Sequence, residues 1–536
     1  MASIGRASMA LASGTLVSRV LGFVNLFVLA QAIGLVGVGA NTFAVANQLP
    51  NNIYVIVAGG VLNAVLVPQI VRASVHADGG RGYINKLLTL AIMILAATTL
   101  LATILAPVLV RISASQWSSD QLALATAFAY WCLPQIFFYG LYTVLGEILN
   151  ARKSFGPFTW APVVNNIVAI AGYIVFIALF GADNDGHRAV GDWTQQMIST
   201  LGGTATAGVA VQALILFLFW RRVGLHYRPD FHWRGVGLRD AGRMASWTFG
   251  MLIVTQLAGL VDTNVASRAT GLDASVAVLA KAWLIFMLPH SIVTVSIATV
   301  YFTRMSEYGS TGRIQELKND LSAAMRSVSL LIVLAGAVLL VVAYPFSRLF
   351  VSDWTQVQSM GNVIIAYLIG LLPFSLLFLV QRAFYALGNT KTPFYFTLFQ
   401  AVFFSAMTLA CLALPSPLIA LGIAAAMTIA TTAQFVLATV LLRRKIGELD
   451  LRRVGISVLR YLAAGIPALI AGIVLLLLLG GGHPGGFAVG GFLGATASMA
   501  IIGLVMAVLY LALLRLLRSP ELAEAVTPLL SRLRQR

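Results

Sequence analysis

A few charged and amide side chains interrupt otherwise apolar stretches of this 536-residue chain, and their types define the chemistry open to it. Arg19 lies within residues 9–34, a run otherwise apolar and long enough to cross a bilayer. An arginine near the middle of such a helix costs at least about 2.5–3.5 kcal/mol on insertion scales, so it usually faces a bundle interior or a watery cavity. The plainer readings are a snorkelling side chain or one bound to a carbonyl of a neighbouring helix. The next apolar run carries Asn41, Asn47, Gln48, Asn51, Asn52 and Asn63 around Pro50, which implies a polar lining, although some amides should bond neighbouring helices. Further on stand Asp262, Asn264 and Arg268, then Lys281, Pro289 and His290. A cationic space inside a membrane suits an anion such as a phosphate, with arginine as a bidentate fork and lysine as a point charge. Lys281 has a second reading, an ion pair with Asp262. Asp262 has another, as the ligand of a cation or proton that drives transport. His290 reads as a packing residue before a proton relay, and Glu147, close to Arg152, as an interfacial charge. Cys132 and Cys411 fall in apolar stretches, with no disulfide framework or metal-ligand spacing. No phosphate-binding Walker loop or catalytic set occurs, and the polar loops 221–243 and 304–320 are too short for an ATPase. They read as amphipathic connectors at an anionic leaflet.

The elements that must position these residues are membrane helices. The chain is 59% hydrophobic and 10% charged, with mean hydropathy +0.90, where a soluble domain carries about 25% charged residues. The short alternating segments of a β-barrel are missing from the pattern. About fourteen spans are expected, at 9–34, 40–71, 86–112, 121–150, 157–181, 198–220, 243–269, 273–303, 322–350, 358–387, 393–413, 417–442, 457–480 and 488–514. The first reads as a retained span and not as a cleaved signal peptide. With the N-terminus and every even-numbered loop on one side, all of the 35 basic residues except Arg19, Arg111, Arg188, Arg268, Lys281 and Arg348 fall there. The positive-inside rule then places both termini in the cytosol of a multi-pass plasma-membrane protein. The net charge of +17 therefore reflects topology and not nucleic-acid binding.

A faint repeat supports a duplicated architecture. Leu49-Pro50-Asn51-Asn52-Ile53 recurs as Leu288-Pro289-His290-Ser291-Ile292, and Leu149–Pro157 resembles Tyr385–Pro393. An offset of six spans preserves orientation, as in transporters built from parallel repeats with the substrate site between the halves. The expected segments are a lobe at 1–222, a second lobe at 223–445, two further helices at 446–518 and a basic tail at 519–536.

Several of these stretches resemble a known family. Ser18-Arg19-Val20-Leu21-Gly22-Phe23 looks like its first-helix signature, and Leu49-Pro50-Asn51 with Gly59–Pro68 like its second helix. Gly146–Asn150, Phe155 and Ala161–Asn166 resemble its fourth-to-fifth connection, and Arg382–Pro393 is the most specific match. Together they are similar to the MurJ (MviN) lipid II flippases of the multidrug/oligosaccharidyl-lipid/polysaccharide exporter superfamily; the stretch 54–73 looks most like actinobacterial members. The resemblance implies a non-enzymatic flippase that moves lipid-linked peptidoglycan precursor to the outer leaflet for cell-wall synthesis. It also implies two six-helix lobes around a central cationic cavity, with the last two helices forming a groove for the lipid tail. Transport would draw on membrane potential or an ion gradient, with no cofactor beyond Na+ or H+ as coupling ion.

Carried over residue by residue, Arg19 matches the family's first cavity arginine. Asn25, Tyr54 and Asn41 stand where the family usually has two arginines and an acid, and Leu284 stands near an eighth-helix arginine that Lys281, one turn away, can replace. The expected substrate contacts are Arg19, Asn25, Asn51, Asn52 and Lys281. The expected coupling-ion ligands are Asp262, close to the family's seventh-helix cation ligand, with Thr408, Thr428 and Thr431. Expected partners are lipid II or a related polyprenyl-pyrophosphate-linked sugar, membrane lipids and proteins of the cell-wall machinery. The alternatives are export of another polyprenyl-linked glycan, or a non-transporting scaffold.

Overall fold

A computed structural model describes residues 2–57, 81–152, 154–220, 227–231, 238–269 and 275–522. The described residues form helices and connecting loops, with no strand among them. They divide into two compact units, Met1–Ala277 and Val278–Arg536.

The first unit holds α1 (Ala2–Ile33), α2 (Gly37–Val57), α3 (Arg81–Ile104), α4 (Ala106–Ser113), α5 (Ser119–Cys132), α6 (Gln135–Ala151), α7 (Phe155–Phe180), α8 (Gln195–Leu214), α9 (Phe217–Trp220) and α10 (Leu238–Ala266). The second holds α11 (Val276–Pro289), which starts at the division, then α12 (Val295–Ser310), α13 (Ile314–Val341), α14 (Ala343–Arg348), α15 (Trp354–Ile369) and α16 (Leu371–Ala386). It ends with α17 (Lys391–Ala410), α18 (Ser416–Ile446), α19 (Leu451–Leu478), α20 (Phe487–Gly490) and α21 (Phe492–Leu516). Eleven described spans are long and apolar enough to cross a membrane, twelve when α15 and α16 count as one bent span. With α1 and α2 added, the expectation of about fourteen spans is consistent with the structure. The second-helix motif from Gly59 to Pro68 lies outside the described residues.

Proline explains most of the breaks. A proline ring removes one backbone donor and clashes with the carbonyl four residues back. Accordingly α3 gives way to α4 beside Pro107, and α5 to α6 at Pro134. In the second unit α13 gives way to α14 before Pro345, and α15 to α16 ahead of Pro373. Pro134/Pro373 share the 239-residue spacing of Pro50/Pro289 and Pro107/Pro345 fall one residue short of it, so the faint repeat reappears as equivalent breaks. Equivalent helix starts are capped alike. Ser118 and Gln121 form a reciprocal capping box on α5, and Asp353 accepts from Thr355 N at 2.9 Å and Gln356 N at 3.1 Å on α15.

Within the first unit, Phe43, Phe128, Trp193 and Phe176 form one edge-and-face aromatic chain across α2, α5 and α7. The Arg188 guanidinium lies 5.4 Å from the Phe176 centroid and donates to the carbonyls of Ala32, Phe180 and Gly181 at 2.7–3.1 Å. It thus satisfies carbonyls left open at the ends of α1 and α7, where a cation is also favoured by the helix dipoles. Gly37 (φ +86°) lies against Gly186 there, and a Cβ on it would meet Gly186 O at 2.2 Å. In the second unit α19 and α21 pack on α13 through the fully buried Tyr461 and Tyr510, and Tyr510 donates to Leu330 O at 2.8 Å.

Candidate functional site: polar side chains inside the membrane spans

α1 presents Ser18, Gly22 and Asn25 on one face, at helical spacing toward α7. Asn25 Nδ2 donates to Asn166 Oδ1 at 3.1 Å, and Asn166 Nδ2 donates to Ser18 O at 3.0 Å. Gly22 lies between them, and a Cβ there would stand 3.8 Å from Asn166 Nδ2, in ordinary contact. Asn25 is therefore an inter-helix fastener as well as a polar group. Arg19 follows Ser18 directly and is half-buried.

The amides of α2 divide into committed and open ones. Asn41 is buried, and its Oδ1 accepts from Ala277 N at 3.2 Å. Asn47 Oδ1 accepts from Gln135 Nε2 at 3.0 Å. Gln135 also donates to Thr206 at 3.2 Å and accepts from the Tyr139 hydroxyl at 3.2 Å. Tyr54 bonds Thr143 through its hydroxyl at 2.5 Å, and its ring lies 5.5 Å from that of Tyr139. Asn51 is exposed and Asn52 half-buried, and among the described residues neither side chain makes a hydrogen bond. With the half-buried Gln48, these are the α2 amides that make no side-chain hydrogen bond among the described residues. Gln135 was not singled out from sequence; its signal is an amide directly after Pro134, where the helix is already broken.

Span seven brings Asp262 and Asn264 into the first unit. Asn264 Nδ2 donates to Ile112 O at 2.9 Å and Ser115 Oγ at 3.0 Å, and Trp117 Nε1 donates to Ser267 O at 2.8 Å. Those bonds clasp the end of α10 to the last turn of α4 and the segment that follows it. Asp262 is half-buried by surface exposure, and its Oδ1 is enclosed with no hydrogen-bond partner among the described residues. A carboxylate oxygen held this way is an acceptor in search of a proton or cation. Arg268 is exposed and lines a cavity of about 220 Å3 with Asn41, Gln116, Trp117 and Gln121.

In the second unit Lys281 is half-buried on α11, and Leu284 on the next turn is 50% exposed. His290 opens a π-helical turn, His290–Thr294, after Pro289. Its Nδ1 is 3.1 Å from Ser375 Oγ, and its ring packs against Phe374 and Phe378 at 4.6 and 5.3 Å. At 2% exposure it is a packing residue, as its sequence context suggested. Thr428 Oγ1 donates to Ala366 O at 2.7 Å. That carbonyl lies where the bend of 41° at Gly370 interrupts the helical ladder. Thr428 therefore supports the bend. Thr431 is buried, and Thr408 is fully buried with Oγ1 unbonded. Among the described residues no cluster of three or more His, Cys, Asp or Glu could hold a metal ion.

An all-helical chain of many membrane spans, with paired breaks in its two halves and polar side chains set inside the spans, has the make-up of a membrane transporter. A family model described as "MurJ: Lipid II flippase MurJ" matches residues 29–483. The chain belongs to that family. Curated relatives include proteins named "Probable lipid II flippase MurJ" from Haemophilus influenzae, 26% identical over 77% of this chain and 82% of that one. Another, from Rickettsia prowazekii, is 24% identical over 75% of this chain and 77% of the relative. Among solved structures, "Lipid II flippase MurJ, inward closed conformation" superposes with a TM-score of 0.72 at 19% identity, over 95% of this chain and 99% of that one. An inward-facing MATE transporter of the MOP superfamily gives 0.64 at 15% identity, over 82% and 98%. At these identities the structural likeness is one of fold.

Proposed function

We propose that this protein is a lipid II flippase of the bacterial plasma membrane, working by alternating access with both termini in the cytosol. The observation that carries the reading is the family match, which runs from within α1 into the loop after α19. The substrate is a polyprenyl pyrophosphate bearing the peptidoglycan precursor. Arg19 is the bidentate contact for its pyrophosphate, and Lys281 contributes a second, point-like cation. Asn25, Asn51 and Asn52 supply amide donors; Asn51 and Asn52, whose side chains make no hydrogen bond among the described residues, are open to sugar and phosphate oxygens. Asp262 receives the coupling ion, Na+ or H+, through the oxygen that has no partner among the described residues. Thr408 and Thr431 are the hydroxyls nearest in kind to further ligands, whereas Thr428 is engaged by Ala366. Proteins of the cell-wall machinery are its expected neighbours.

A second reading, transport of another polyprenyl-linked glycan, draws on one observation. Asn25 and Tyr54 occupy positions where arginines are usual, and both are tied to neighbouring helices. The test is rescue. In cells depleted of their own flippase this gene restores growth, and a normally expressed Arg19→Ala variant does not. Full rescue by Arg19→Ala removes the role assigned to that guanidinium, and no rescue by the wild-type gene favours the other glycan.

A further inference from the structure

The start of α19 and the segment after α21 enclose a cavity of about 280 Å3 lined by Arg452, Arg453, Arg460, Asp450, Ser457 and Glu521. Its two carboxylates are already engaged. Asp450 accepts from Ser322 Oγ at 2.8 Å. Glu521 accepts from Arg326 at 2.5 Å, Ser519 at 3.1 Å and Ser457 at 3.2 Å. The three lining arginines have no hydrogen bond or ion pair among the described residues. With Arg326 behind Glu521, four guanidiniums face two occupied carboxylates. Arg452 and Arg453 also sit in the first turn of a helix that has no acid there and no side-chain cap from Asp450. Basic residues at a helix N-terminus oppose the dipole, and the open N–H groups there favour an anion.

We propose that this cavity is a phosphate-binding site, occupied by the headgroup of an anionic lipid of the inner leaflet. The inference rests on the cytosolic placement of this end proposed above. Arg460 lies seven residues beyond Arg453, two turns along the same helix face, and is half-buried. It can reach a phosphate from the membrane side while Arg452 and Arg453 reach it from the cytosol. A bound phosphate would join α19 to the segment following α21 through one ionic site.

The test reads binding, not transport, so it stands apart from the flippase assignment. Purified full-length protein is exchanged into vesicles of phosphatidylglycerol and phosphatidylethanolamine, extracted, and retained lipid is counted by native mass spectrometry. The wild type retains phosphatidylglycerol. The double variant Arg453→Gln/Arg460→Gln, with unchanged thermal stability, retains about tenfold less. Arg453→Lys/Arg460→Lys recovers part of the loss, and Arg444→Gln, a change of charge outside the cavity, has no effect. A parallel arm titrates inorganic phosphate. Binding of phosphate with the same sensitivity, but no retained lipid, keeps the phosphate site and overturns the lipid as its occupant. Equal loss in Arg444→Gln, or no loss in the double variant, overturns the site.

Discussion

At the residue scale, the buried ion pair of Arg326 and Glu521 is the firmest local feature outside the proposed transport site. Their side chains are 10% and 5% exposed. Breaking one partner of such a pair leaves a buried charge, so Glu521→Ala should cost about 3–5 kcal/mol. Burial pushes the Glu521 carboxyl upward, but bonds from the backbone, Arg326, Tyr461 and Ser519 outweigh it and hold it below its ordinary value of 4.5. A carboxyl depressed in the folded state adds stability that is fully present above its unfolded value and disappears as pH falls through the folded one. Thermal melts from pH 7 downward should show a loss of stability below about pH 4.5 that is smaller in Glu521→Gln. Parallel curves for the two proteins would show that the carboxylate contributes nothing. Nothing local in the sequence signals this contact, because the partners stand 195 residues apart. Residues 519–536 read as a basic surface tail, yet Glu521 is 6% exposed.

At the element scale, the spans were legible because apolar runs near bilayer length have few alternatives. Breaks beside Pro107 and Pro134 follow from a single residue type. The bend at Gly370 takes more than Pro373 three residues on, since the freed Ala366 carbonyl is satisfied from another helix by Thr428. A Cβ at Gly370 would meet Thr428 Oγ1 at 2.8 Å and Thr428 Cα at 3.2 Å. Gly370→Ala should therefore destabilise by about 1–3 kcal/mol, and Thr428→Ala by about 1 kcal/mol for the lost bond. Because the two residues touch, the double variant should be less destabilised than the sum of the singles. Strict additivity in detergent unfolding measurements would mean that the clamp and the bend are independent. The candidate site was legible in the same uneven way. Asn25 and Asn47 announced themselves as amides in apolar helices, but their partners Asn166 and Gln135 come from distant helices that residue spacing along one helix does not identify.

At the scale of the whole molecule, orientation and transport carry the account. The basic residues predict that the loop between α19 and α20 is outside and the loop between α18 and α19 inside. The native Cys132 and Cys411 are buried, so single introduced cysteines report cleanly. In intact cells an impermeant thiol reagent should label His483→Cys, and Glu448→Cys only after permeabilisation. The reverse pattern would invert the topology and with it the direction of transport. The repeat was visible in sequence as two short motifs, and the structure adds the matched breaks at Pro107/Pro345 and Pro134/Pro373. The measurement that tests the central claim most directly is lipid II translocation by the purified protein in proteoliposomes under an imposed membrane potential. The wild type should move lipid II across the bilayer, and Arg19→Ala should do so at least about tenfold more slowly, the loss expected for one charge-assisted contact. Binding of lipid II without translocation by the wild type, or an unchanged rate in Arg19→Ala, would contradict it.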